Sequence, residues 1–150
     1  MPGTGAGRSR FRGQALRMAL VVLLLSGCSG GAAAQLVDPM EQALAALQSE
    51  QLALQLLDEQ RLTKSVTSIV FEDMTDELTG AEKAIHSAGV SNSDDEALRD
   101  TALAAARAAT SASLAGRDCL TQNQSCADEM TRLKSAAQGI QAVLDQLQGS

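Results

Sequence analysis

The side chains able to do chemistry are few. His86 is the only histidine, and Glu82 precedes it by four residues, so on a helix the two would share a face. A carboxylate and an imidazole make half a metal site at best. Helical di-iron proteins place Glu and His three apart, and the residue three before His86 is Lys83. We read His86 as a surface histidine near a helix end and expect no metal and no cofactor. Cys119 and Cys126 are seven apart, which is not the C-x-x-C spacing of a redox site, and neither has a histidine nearby to complete a zinc site. The simplest reading of an even pair outside the cytoplasm is a structural disulfide, which for so short a loop contributes roughly 2 to 3 kcal/mol. The remaining candidates are the carboxylates Glu72, Asp73, Asp76 and Glu77, beside Phe71. An aromatic anchor with a charged rim is the anatomy of a protein contact, so these five residues are the candidate partner-binding face. The plainer alternative makes Phe71 core and the acids a solvated surface. No nucleophile elbow, phosphate loop or EF-hand loop occurs, and we expect no enzyme.

These groups must be carried by helices. No segment alternates apolar and polar residues with β-branched enrichment, so no strand is expected. Asp38-Pro39-Met40-Glu41 reads as a helix start, with Asp as cap and Pro in the first turn. From Met40 to Thr79 there is neither Gly nor Pro. Met40, Leu44, Leu47, Leu54 and Leu57 keep helical spacing, and so does the set Leu62, Val66, Val70, Met74, Leu78, Ala81, Ile85. The apolar face shifts between Arg61 and Ser68, which leaves open one long bent helix or two helices meeting there. Gly89 ends this stretch. Ser93-Asp94-Asp95-Glu96 is a capping box for the next helix, expected to run to Ala115 and stop at Gly116, with an alanine-rich buried side. The last helix is expected to start from Ser125 and to hold Met130, Leu133, Ala137, Ile140, Leu144 and Leu147 on a seven-residue repeat. Gly139 inside it marks either a close helix contact or a weak spot. The fold is therefore expected to be all-α, an antiparallel bundle of three to four helices. The rival layout is a long first helix with a stalk, which would need a homodimer to cover its leucines.

The amino-terminal end supplies an address. Arg8, Arg10, Arg12 and Arg17 precede an apolar run, Met18 to Leu25, and the run closes on Leu25-Ser26-Gly27-Cys28. A basic region, a short apolar segment and a small-residue exit make a signal peptide, and the run is far shorter than the about 20 residues that span a membrane. The four closing residues resemble the lipobox of bacterial lipoproteins. That resemblance covers residues 1–28 and implies acylation of Cys28, with palmitate among the chains such proteins carry, and cleavage before it. The expected organisation is a signal peptide over 1–27, a flexible tether over 28–37 and a helical bundle over 38–150. Ser29 is not the Asp that retains lipoproteins in the inner membrane, so an outer membrane is the expected destination where the source has one, and otherwise the outer face of the cell membrane. Ala32-Ala33-Ala34 offers an alternative, ordinary cleavage after Ala34 to give a secreted protein.

Charge narrows the function. All 18 acidic residues but only eight of the 12 basic ones follow Cys28, a balance of ten negative charges with the basic residues scattered. Nucleic acid is disfavoured, since a phosphate backbone requires a basic face. What remains is a membrane-anchored, non-enzymatic scaffold or interaction domain whose partners are the membrane, through the lipid on Cys28, and an envelope protein. A helical ligand-binding or sensing bundle is the alternative.

Overall fold

A computed structural model describes residues 31–122 and 125–149. Cys28 and the signal-like segment lie outside the described residues. Four helices account for most of what is described: α1, Ala32–Asp58; α2, Lys64–Ser87; α3, Ser93–Gln122; and α4, Ala127–Gln148. There is no strand among the described residues, as the absence of alternation predicts.

The first helix starts seven residues earlier than its sequence signals suggest. Residues 32–37, expected as part of a tether, are helical, and Ala32 and Leu36 are buried. Alanine and leucine are strong helix formers, and covering Leu36 outweighs the start signal of Asp38-Pro39. Pro39 therefore stands inside α1, buried, and Asp38 is exposed rather than capping. At the other end, Leu56 O accepts the backbone N–H groups of both Arg61 and Leu62, and Gln60 adopts φ 58°. That left-handed residue closes α1. Thr63 then caps α2, its hydroxyl accepting Val66 N–H at 3.4 Å. Two helices meet at 59–63, not one that bends.

The other boundaries shift for local reasons. The cap of α3 is Asn92, one residue before the expected Ser93. Its Oδ1 accepts the N–H groups of Asp94 and Asp95, both at 2.9 Å, while Asp95 Oδ2 accepts from Ser91 N at 3.1 Å. This is a variant of the reciprocal box moved by one position, in which Asp95 accepts from the backbone N–H of the residue before the cap rather than from that of the cap itself. The helix does not stop at Gly116 but continues to Gln122. Cys126, not Ser125, occupies the cap position of α4, without a side-chain cap bond, its sulfur being engaged with Cys119.

The four helices share one apolar core. Each is in contact with its neighbour in chain order, α4 also meets α1, and α1 meets α3 as well. Among the described residues α2 and α4 do not touch. The seam of α3 explains the short α1–α3 diagonal: it runs Ala102, Ala106, Ala109, Ser113, Gly116, all buried and all small, so a facing helix can approach closely. Leu47 and Leu54, which a stalk would expose, are core residues.

Candidate functional site

The face expected to bind a partner separates into two environments. Glu72, Asp73, Asp76 and Glu77 are exposed along α2, and Glu77 accepts a hydrogen bond from Gln42 of α1. Phe71 is fully buried, so it is no surface anchor, and the reading that placed it beside the acids as one is corrected. Its ring lies so close to Gly116 that a Cβ there would overlap it. This is why a glycine stands inside α3. One exposed aliphatic side chain does adjoin the acids: Ile69, 57% exposed, lies one turn before Glu72 and Asp73, with the exposed Val66 one turn further back.

His86 is exposed, and Glu82 does not pair with it. Glu82 instead reaches α3, accepting from the Thr110 hydroxyl and lying 3.9 Å from Arg107. Cys119 and Cys126 have their sulfurs 1.96 Å apart and their Cα atoms 5.8 Å apart, a separation that a disulfide spans. A carboxylate oxygen of Glu129 lies within 4.8 Å of both sulfurs. While the sulfurs are bonded to each other they are not thiolate ligands, so this trio is not a metal site in the oxidised chain.

The group that sequence reasoning missed is Glu50. It is fully buried on α1, and its Oε1 accepts from the Ser113 hydroxyl of α3. Ser113 Oγ is 2.8 Å from Thr75 Oγ1 of α2, which in turn donates to Phe71 O at 2.6 Å. Glu50 Oε2 is buried with no partner. Burial, opposed only in part by the Ser113 hydrogen bond, pushes the carboxyl up to about 7. A signal was available: Leu36, Met40, Ala43, Leu47, Glu50, Leu54 and Leu57 follow alternating four- and three-residue steps, so the acid occupies a seam position of an otherwise apolar heptad pattern. Reading Leu44 into that seam in place of Ala43 hides it.

An open groove of about 860 Å³ lies between the last turns of α1 and the first turns of α4, bordered by Gln48, Gln51, Gln55, Leu52, Met130 and Lys134. Half of its polar side chains are amides, and Asp58, Lys64 and Lys134 also line it. No described helix is long and apolar enough to cross a membrane. Comparison with known proteins finds no matching family model, curated protein or solved structure.

Proposed function

We propose that the chain is a lipid-anchored envelope protein whose helical domain is a non-enzymatic scaffold or docking module. The observation that carries the docking role is the exposed face of α2, where Ile69 lies one turn before the first of four exposed carboxylates and Val66 one turn before Ile69. Such a face suits a basic envelope protein presenting an amphipathic helix. The anchor rests on the lipobox-like residues and gains support from the position of α1. The compact unit begins at Gly31, and α1 at Ala32. Ordinary cleavage after Ala34 would remove the first turn of α1 and the buried Ala32, which favours processing at Cys28. Four residues from Cys28 to Ala32 reach about 13 Å, so an acylated Cys28 would hold the bundle near the bilayer surface. We further propose an up-and-down, antiparallel arrangement, supported by Gln35 meeting Gly89 and Gln42 meeting Glu77 as α1 and α2 run past each other.

The test has two arms. Cys28→Ser should release the protein from membranes or leave it as precursor, and the native protein should carry acyl mass on Cys28. A mature chain beginning at Gln35 would refute the anchor. Asp73→Lys with Asp76→Lys, with helicity checked by circular dichroism, should remove the crosslinked partner, and wild-type crosslinking should weaken with salt. An unchanged crosslinking profile would end the docking role. A second reading, a sensing bundle, is favoured by one observation, the buried carboxyl of Glu50.

A further inference from the structure

Glu50 is the only titratable side chain among the buried residues described, apart from the bridged Cys119. The hydrogens available to it can be counted. Three contacts run in series: Glu50 Oε1 to Ser113 Oγ, Ser113 Oγ to Thr75 Oγ1, and Thr75 Oγ1 to Phe71 O. Ser113 and Thr75 supply one hydroxyl hydrogen each. With an ionised Glu50, two hydrogens serve three contacts, so one pair of oxygens meets lone pair to lone pair. Oε2 then also carries charge with no partner. A proton on Oε1 reverses the Glu50–Ser113 bond and gives every contact its hydrogen: Glu50 donates to Ser113, Ser113 to Thr75, and Thr75 to the Phe71 carbonyl. Oε2 is left as a neutral carbonyl oxygen, which is far cheaper to leave unpaired than a carboxylate.

We infer that Glu50 is a buried proton-binding site that couples the packing of α1, α2 and α3 to pH. The inference does not rest on the lipid anchor or the docking face. Nothing else in the core competes for the proton. The other buried side chains of α2 are Thr67, Phe71, Thr75, Leu78, Ala81 and Ile85, all uncharged. Those of α3 are alanines, leucines, Ser113 and Cys119, beside Gly116, and those of α4 are aliphatic throughout. Arg117, one turn after Ser113 on α3, is half-buried, but among the described residues no ion pair joins a basic side chain to Glu50, and burial and the Ser113 hydrogen bond alone set its titration. The chain Glu50–Ser113–Thr75 joins three helices in one layer, so the charge created by losing the proton falls where they meet. The bundle is tightest when Glu50 is neutral and loosens as it ionises.

The direction follows from linkage. The folded-state carboxyl titrates at about 7, above its ordinary 4.5. Its contribution is fully present below the ordinary value and is lost as pH rises through the folded one. Urea unfolding of the full chain in detergent, bridge intact, would be followed by circular dichroism between about pH 5 and about pH 8. The wild-type folding constant should fall on the order of a hundredfold more than that of Glu50→Gln, which keeps the shape and a donor toward Ser113. Parallel pH profiles for the two chains would overturn the inference. A second reading needs no variant to fold: the infrared band of a protonated carboxyl should persist in the wild-type protein at about pH 6, well above where ordinary carboxyls ionise, and disappear on further alkalinisation. Absence of that band would overturn the inference as well.

Discussion

Between Leu36 and Leu47 the inner seam of α1 is Leu36, Met40, Ala43 and Leu47, and every one is buried among other apolar side chains. One step further along the same seam stands Glu50, with Ser113 and Thr75 from two other helices gathered on it. The first region is held by area alone. Covering a leucine contributes about 1.5 to 3 kcal/mol, without direction and without regard to pH. The second is held by three directed contacts whose hydrogens must be supplied, and a shortage of one changes its energy. The apolar half thus supplies strength, while the layer at Glu50 fixes which residues face one another. A single polar group at a seam position is known to set register in helical assemblies at a cost in stability.

The comparison is sharpest at Leu36. It belongs to a stretch that reads as tether, Ser29 to Val37, yet it is fully buried. Leu36→Ala should cost about 2 to 5 kcal/mol in urea unfolding, with the same loss at low and high pH. A loss below about 0.5 kcal/mol would be that of an exposed surface position and would restore the tether. A loss that varied with pH would break the distinction between the two halves, since only the Glu50 layer contains a buried group to titrate.

The sequence showed the helices and the cysteine pair, and left the number of helices at three or four, because helical periodicity and spacing are local properties. It misplaced their ends wherever a distant contact decided the matter. Asp38-Pro39 carries every mark of a helix start, and only the burial of Leu36 and Met40 shows why the helix runs through it. Gly116 looked like a stop because glycine after an alanine run commonly ends a helix. What put it there is the ring of Phe71, more than 40 positions away in the chain. Phe71 itself looked like an anchor because it is the only aromatic residue after Phe11 and adjoins acids. Its position on α2 in line with Thr75 and Leu78 places it in the core instead. Glu50 was legible in principle, from a heptad pattern that a nearby leucine obscured. The network around it was not, because Ser113 and Thr75 are unremarkable residues on helices whose relative register no local pattern states.

Glycines separate the two kinds of region on the smallest energy scale, and with opposite signs. At Gly116 a methyl group would enter the space of the Phe71 ring. The ring is fully buried, so it has no free side to move into, and Gly116→Ala should destabilise by about 1 to 3 kcal/mol as overpacking does. At Gly139 the structure is otherwise. A Cβ there would meet nothing within 4 Å, and the residue is exposed on α4 along a groove of small side chains. The sequence allowed a close helix contact or a weak spot at this position, and the open surroundings select the weak spot. Gly80 in α2 has the same open surroundings. Neither glycine has a positive φ, so alanine fits the backbone of both. Gly139→Ala should then stabilise the fold by about 0.5 to 1 kcal/mol, partly by restricting the unfolded chain, and Gly80→Ala should behave alike. The measurement is the urea midpoint at one pH for all three variants. If Gly116→Ala also proved stabilising, the Phe71 ring would have to yield, and the close packing ascribed to the layer around Glu50 would lose its support.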